Sequence, residues 1–284
     1  VDWAAEAEQL TRAADREAEW LARAARDLLR PGQRLAVDLG CGGGGMAVAL
    51  AEQGPPELMV AGLDGEPALL AAAAGRALRI GGPAARVRFA AVRMEDGAEA
   101  LRSAAGGAPD LLWAAKAVHH AADPQQTIAE LARALAPGGV LALAEGGLPL
   151  RCLPAELGAG EQPGLEARLD VARSVWFGRM RDSQPGAVPM PYGWPEALRR
   201  AGLAEVATRS YLLERMVPPG SPAMEDLLWA LGHRIARLLP DGLLSQADQA
   251  VWARLLDPGD PAWLGSRADL HHLEATSVHC GYRR

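Results

Sequence analysis

Between Leu35 and Glu145, short apolar runs alternate with longer stretches that carry apolar residues at helical spacing, and no other feature of this chain restricts its fold as much. The runs are 35–39 (LAVDL), 57–64 (ELMVAGLD), 86–93 (RVRFAAVR), 110–115 (DLLWAA) and 140–144 (VLALA). Each is too short for a helix, and apart from the arginine-bearing run at 86–93 they are largely apolar, which suits strands covered on both faces. The stretches between them, at 46–52, 66–80, 96–104 and 127–136, read as helices that stop at glycine and proline, as at Gly54-Pro55-Pro56 and Pro137-Gly138-Gly139. Strands joined through helices run parallel, and right-handed crossovers place helices on both sides of the sheet. The predicted fold is α/β, a doubly wound, Rossmann-like sheet, with runs at 203–213 and 273–282 bringing it to seven strands.

Around this alternation the chain divides. Residues 1–30 are predicted to be an N-terminal helical segment, with Leu10, Ala14, Ala18, Leu21, Ala25 and Leu28 along one face and Pro31-Gly32 as its stop. Residues 31–146 form the Rossmann-like core. After Glu145 the stretch GGLPLRCLPAELGAGEQPG is too rich in glycine and proline for a strand or helix, and reads as a long functional loop. It opens a cap over 147–194, which also holds a helix at 165–183. Residues 195–284 complete the sheet, with a helical insertion at about 222–266.

With 49% hydrophobic residues in 284, the chain can bury a substantial core. Its formal charge of −6 and the interleaving of arginine with glutamate and aspartate leave no concentrated basic surface, which argues against a nucleic-acid partner. Three cysteines, Cys41, Cys152 and Cys280, without C-x-x-C spacing, indicate neither a disulfide framework nor a metal site and fit a cytoplasmic location. There is no basic-then-apolar signal pattern, and no apolar run reaches the ~18 residues of a membrane span, so no membrane association is expected.

The strand at 35–39 leads into VDLGCGGGGMAVALAEQ, which places five glycines within six positions. Such a loop lets backbone N–H groups and a helix N-terminus face a polar ligand. Gly40, Gly42 and Gly45 satisfy G-x-G-x-x-G, so a dinucleotide is one reading, and a loop that only makes a tight turn is another. Asp38 would repel a pyrophosphate but suits a cationic amino or sulfonium group. Asp64, ending the second strand, is placed to accept hydrogen bonds from ribose hydroxyls, a role common to nicotinamide and adenosyl ligands.

Taken in order, VDLGCGGGG, VAGLDGEP, DLLWAAKAVHH and LAPGGVLALAEGG resemble the class I S-adenosylmethionine-dependent methyltransferases of the small-molecule type, over roughly residues 31–145. The resemblance implies S-adenosylmethionine as cofactor, with S-adenosylhomocysteine as product. The glycine loop with Asp38, Gly40 and Gly42 would lie against its methionyl part, Asp64 at the ribose and the Met94–Glu95 region near the adenine, with Cys41, Gly65 and Ala115 as further cofactor-binding candidates. In one respect the sequence departs from the family: Arg93 stands where many members carry an aspartate for the adenine amino group, leaving Glu95 or Asp96 to substitute.

Ligands on open sheets lie beyond the carboxyl ends of the strands, so Lys116, His119, His120 and Glu145 should face the transferable methyl group. Methyl transfer from a sulfonium expels a neutral leaving group, so the enzyme mainly aligns the acceptor and excludes water. A hydroxyl or ammonium acceptor also needs a base, for which His119 or His120 is the candidate, while Glu145 is a catalytic candidate or an anchor for its loop. Lys116, protonated at neutral pH, is a poor base. In the cap, Trp176, Phe177, Met180, Arg181, Tyr192 and Trp194 combine aromatic surface with a cation and a phenol; Trp176 and Met180 also read as helix core.

The leading expectation is methyl transfer to an oxygen, nitrogen or carbon of a small molecule, a specialised metabolite from natural product biosynthesis or a modified peptide. The acceptor is then the main partner, and a homodimer is compatible with the sequence. The alternative is a cofactor-binding cyclase or isomerase on the same scaffold, and a third class is a noncatalytic subunit. AAKAVHH replaces the Asn/Asp-Pro-Pro-aromatic segment of base-methylating relatives, and the paired glutamates of protein arginine methyltransferases have no counterpart near Glu145.

Overall fold

The computed structural model describes residues 7–284. The helix expected over residues 2–30 is two helices, α1 (Ala7–Arg16) and α2 (Ala18–Leu28), and positions 2–6 lie outside the described residues. Bonds from the Glu17 N–H to the Ala13 carbonyl (2.9 Å) and from the Leu21 N–H to the Glu17 carbonyl (3.0 Å) carry the backbone through the junction, so the break is a local bend. α2 ends before Pro31 because a residue preceding proline is pushed out of the helical region; Leu29 is already extended.

The predicted alternation then appears in order: β1 (Leu35–Leu39), α3 (Gly45–Gln53), β2 (Met59–Asp64), α4 (Pro67–Ile80), β3 (Arg88–Ala91), α5 (Gly97–Ala105), β4 (Leu111–Ala115), α6 (Pro124–Ala134) and β5 (Val140–Arg151). Glu66 and Asp123 cap α4 and α6 by accepting the N–H groups of Ala68 and Gln126, each with proline at the first helical position. This moves the start of α6 three residues ahead of the predicted Thr127. The chain continues through α7 (Leu165–Asp182), α8 (Trp194–Arg200), β6 (Ala204–Met216), α9 (Pro222–Leu238), α10 (Gln246–Leu256) and β7 (His271–Tyr282).

Seven strands form one sheet in the order β3-β2-β1-β4-β5-β7-β6. β3, β2, β1, β4 and β5 pair in parallel. β7 runs the other way: the Gly138 N–H bonds to the Arg283 carbonyl (2.9 Å) and the Arg283 N–H to the Gly139 carbonyl (2.8 Å), joining the end of β7 to the start of β5. The strand order reverses between β1 and β4, and at such a switch point the carboxyl ends open a crevice.

One expectation is overturned in part. The segment after Glu145 first continues β5 to Arg151, and only 152–164 is the irregular stretch expected. Gly146 and Gly147 adopt φ of +73° and +123°, an irregularity inside a strand that in sequence looks like a turn.

The described residues fall into two compact units. The first takes the chain up to Gly147 together with Gly186–Tyr211 and Thr276–Arg284. Its core is built on Val37, Leu39, Leu63, Leu112, Leu141 and Leu143 from the strands, with Leu101, Ile128 and Leu131 from α5 and α6. All five residues of β1 are buried, as expected of a central parallel strand. The second unit, Leu148–Pro185 and Leu212–Ala275, has its own core of Leu165, Leu169, Leu227, Leu231, Trp252 and Leu255 from α7, α9 and α10. Residues 186–194, read from sequence as the end of the cap, group with the first unit, where Met190, Tyr192 and Trp194 pack against its core. No helix among the described residues is long and apolar enough to cross a membrane.

Candidate active site

At the carboxyl end of β1 the Asp38 carboxylate is buried, and its Oδ2 accepts the Ala47 N–H at 2.9 Å, tying the strand to the first turn of α3. Burial pushes the Asp38 carboxyl up to about 7; the Ala47 bond opposes the rise and neighbouring Asp64 adds to it. An acid so placed is favourably ionised only beside a positive charge. Gly40 has φ +66°, and a Cβ there would stand 3.0 Å from the Ala117 Cβ, bringing the ends of β1 and β4 together. A Cβ on Gly43 would lie 2.5 Å from the Leu10 carbonyl oxygen, so the α1 backbone rests directly on the glycine loop. Part of the glycine richness therefore answers a helix of the protein itself, a cause absent from the sequence reading.

The Asp64 carboxylate spans the loop and the next helix: Oδ2 accepts the Gly42 N–H and Oδ1 the Glu66 N–H, each at 3.0 Å. Each oxygen retains acceptor capacity for a hydroxyl. A Cβ on Gly65 would meet the Arg93 Cγ at 3.0 Å, so β2 and β3 end side by side. The Asp96 Oδ2 accepts the Arg93 N–H at 2.9 Å, Met94 packs on the core, and Glu95 is exposed. Cys41 is buried and its thiol is pushed up by burial, which keeps it from acting as a nucleophile.

Beyond β4 and β5 a tighter arrangement forms. Ala115 ends β4, and Lys116 follows at φ +51°, an unusual value outside glycine, with its Nζ 2.9 Å from the Glu17 Oε1 at the α1–α2 bend. The Glu145 carboxylate, 3% exposed, accepts the N–H groups of Ala117 and Val118 on Oε1, both at 3.1 Å, while Oε2 lies 2.6 Å from the His119 Nδ1. A carboxylate at that distance holds the proton on Nδ1 and leaves Nε2 as the basic ring nitrogen. The His120 ring lies 4.2 Å from the His119 ring, centre to centre. Behind them the Glu145 carbonyl is 3.1 Å from the His279 Nε2, and the His279 Nδ1 is 2.8 Å from the Thr208 Oγ1. Burial lowers the His279 pKa, which favours a neutral ring in this buttress. Sequence reasoning missed His279 and Glu17, because only the folded sheet brings them to this end.

The structure thus assembles Asp38, Gly40, Gly42, Asp64, Gly65, His119, His120 and Glu145 along the carboxyl ends of the parallel strands. The proposed acceptor contacts are dispersed. Trp176, Met180 and Arg181 lie on α7 in the second unit, where Trp176 packs on that unit's core with the Arg237 Cζ 5.5 Å from its ring centre. The Met180 Sδ is 3.5 Å from the Gln184 Nε2. Tyr192 and Trp194 belong to the first unit. The Tyr192 hydroxyl donates to the Gln125 Oε1 at 3.1 Å and its ring carries the Arg200 guanidinium at 3.9 Å, while Trp194 opens α8. Among the described residues no group of three or more His, Cys, Asp or Glu side chains could hold a metal ion.

A family model matches the stretch that contains this strand-end arrangement up to β5. Residues 37–141 match a methyltransferase domain family. Within this region the chain is similar to the trans-aconitate 2-methyltransferase of Variovorax paradoxus (strain S110), 38% identical over 107 residues, 38% of this chain and 36% of that protein. The chain therefore aligns with about a third of the length of this curated relative. Among solved structures it is similar in fold to the YcgJ protein from Bacillus subtilis, with a TM-score of 0.52 at 17% identity, covering 94% of this chain and 99% of that one. The methyltransferase domain's cofactor carries a sulfonium, an ammonium and ribose hydroxyls. A buried carboxylate favoured by a positive charge at Asp38, and a carboxylate with spare acceptor capacity at Asp64, fit those groups.

Proposed function

We propose that this chain transfers a methyl group from S-adenosylmethionine to an oxygen, nitrogen or carbon of a small molecule, a specialised metabolite or a modified peptide. The observation that carries the reading is the buried Asp38 carboxylate beneath the glycine loop, within the matched domain and held for a cation. In this reading Asp38 faces the cationic methionyl part of the cofactor. Gly40, Cys41 and Gly42 let it approach the backbone, Asp64 with Gly65 receives the ribose hydroxyls, and Met94, Glu95 and Ala115 border the adenine. The bound cofactor supplies an electrophilic methyl group on a sulfonium.

For a hydroxyl or ammonium acceptor, His119 takes the departing proton on Nε2 while Glu145, bonded to Nδ1, fixes the ring and steadies its charge. His120 borders the same space. The acceptor atom forms the new bond to carbon, the carbon–sulfur bond breaks, and its electron pair stays on the sulfur of S-adenosylhomocysteine. Trp176, Met180, Arg181, Tyr192 and Trp194 remain the proposed acceptor contacts, and a cytoplasmic, homodimeric enzyme completes the reading.

Titration calorimetry with S-adenosylmethionine and S-adenosylhomocysteine tests the cofactor site, and binding of both is expected. Folded protein giving no heat with either ends the proposal. Chromatography of S-adenosylhomocysteine formed with an acceptor tests the reaction, because a cyclase or isomerase on this scaffold would return the cofactor intact.

A further inference from the structure

Away from the strand ends, several arginines of the second unit gather around Asp170. Asp170 on α7 serves two guanidiniums at once: the Arg234 Nη2 of α9 donates to Oδ1 at 3.0 Å, and the Arg151 Nη1 of β5 lies 2.5 Å from Oδ2. One turn along α7, Arg173 has neither an ion pair nor a hydrogen bond among the described residues. Its side chain is exposed to solvent, while the protein around the guanidinium desolvates it in part. Arg234 and Arg237 of α9 press on its charge, and Glu274 of β7 and Asp170 favour it. Burial first, then repulsion from Arg234, holds the Arg173 pKa below the usual guanidinium range.

The sheet side of the unit repeats the imbalance. Hydrogen bonds pair Thr208 with His279, Ser210 with Ser277 and Val217 with Leu270, and this antiparallel register sets Arg215 of β6 opposite His272 of β7. The His272 Nε2 lies 3.5 Å from the Glu274 Oε2, the same acid that acts on Arg173. The Arg215 Nε and Nη2, the Arg234 Nε and both His272 ring nitrogens are buried without a hydrogen-bond partner among the described residues, as is the Asp170 Oδ2, although Arg215 Nη2 lies 3.7 Å from the Asp226 Oδ2. The guanidinium nitrogens are donors, so the unpaired donors outnumber the one unpaired carboxylate oxygen.

We infer that the second unit holds an oxyanion-binding site in which Arg173 and Arg234 present guanidinium donors to a carboxylate or phosphate group of a small molecule. Planar guanidiniums match both groups through paired N–H bonds. The surplus of arginine over acid around Asp170 and Glu274 supplies the charge, and Arg215 with His272 borders the site through Glu274. The inference does not rest on the proposed methyl transfer.

The experiment is titration of the intact chain, without cofactor and at low ionic strength, with tricarballylate and with inorganic phosphate as separate probes. Saturable binding of at least one probe is expected; binding of tricarballylate alone marks a carboxylate site, and of phosphate alone a phosphate site. Arg173→Gln should weaken that binding by about tenfold or more, Arg173→Lys by less, and Arg199→Gln on the first unit not at all. Phenylglyoxal labelling of the wild-type protein, read by mass spectrometry, gives a readout that needs no variant: bound probe should protect Arg173. The inference is overturned if neither probe binds, if Arg173→Gln binds as wild type does, or if Arg173 labels equally with and without probe.

Discussion

The buried acids of the first unit and the crowded arginines of the second are opposite solutions to holding charge away from water. Asp38, Asp64 and Glu145 are all buried, and each accepts at least one backbone N–H. Arg234 and Arg215 are half-buried with donor nitrogens that meet no acceptor. Backbone donors are fixed by the fold, so the acidic end is organised before any ligand arrives. Arg151 and Arg234 share the Asp170 carboxylate and Arg215 lies 3.7 Å from Asp226, which leaves donors over. The contrast predicts that ligands should matter differently to the two regions.

The largest effect is expected at His119, where the acidic end is asked to do chemistry. His119→Ala should lower kcat with a hydroxyl or ammonium acceptor by on the order of a hundredfold or more, with little change in cofactor affinity. Glu145→Gln keeps a side-chain acceptor for the Ala117 and Val118 N–H groups but removes the charge beside His119, so a smaller loss with an altered pH profile of kcat is expected. Equal rates in wild type and His119→Ala across pH would remove His119 from the reaction and leave Glu145 as a structural anchor alone.

Asp38 comes next. Asp38→Asn should weaken S-adenosylmethionine binding by roughly tenfold to a hundredfold in titration calorimetry, since one charge of a close pair is lost. The free protein should respond in the other direction. The folded carboxyl is raised to about 7, above its unfolded value, so the native state binds the extra proton. Its stability contribution is therefore fully present in acid, falls as pH rises from about 4 to about 7, and is flat above; the change is on the order of 2–4 kcal/mol at most. The denaturation difference between wild type and Asp38→Asn isolates this from His279, whose lowered pKa acts with the opposite sign. A pH-independent difference would mean that the Asp38 carboxyl titrates alike in the folded and unfolded chain.

How much of this was legible before folding depends on the range of the interaction. β1 was readable to the residue, because four apolar residues around Asp38, bounded by Arg34 and a glycine turn, leave one solution, and Asp38 and Asp64 were readable as acids near strand ends. The extension of β5 was not, since Gly146, Gly147 and Pro149 resemble a turn, and the strand runs on to Arg151 in spite of the positive φ of both glycines. His119 and Glu145 were visible as candidates, but the 2.6 Å bond between them depends on β4 and β5 being neighbours. Gly43 is the sharpest case. Its place in the loop suggested a ligand, whereas the α1 backbone at Leu10 sets the local limit. Gly43→Ala should therefore cost about 1–3 kcal/mol of stability in denaturant melts even without cofactor, because backbone on both sides leaves little room to relax. A variant as stable as wild type that failed only to bind cofactor would return that glycine to the ligand.

The smallest effect tests the arginine side directly. If Arg173 is an unmatched cation beside Arg234 and Arg237, Arg173→Gln should leave the ligand-free protein as stable as wild type or slightly more so. A gain under about 1 kcal/mol is expected, because solvent reaching the side chain screens the repulsion. A saturating oxyanion should then stabilise wild type by roughly 1–3 kcal/mol in thermal melts through mass action, and the variant by less. Two cations competing for Asp170 and Glu274 explain both halves of that result, whereas a guanidinium that merely braces the helix would show a loss of stability without ligand. The sign of the ligand-free change therefore separates a binding group from a structural one before any ligand is identified.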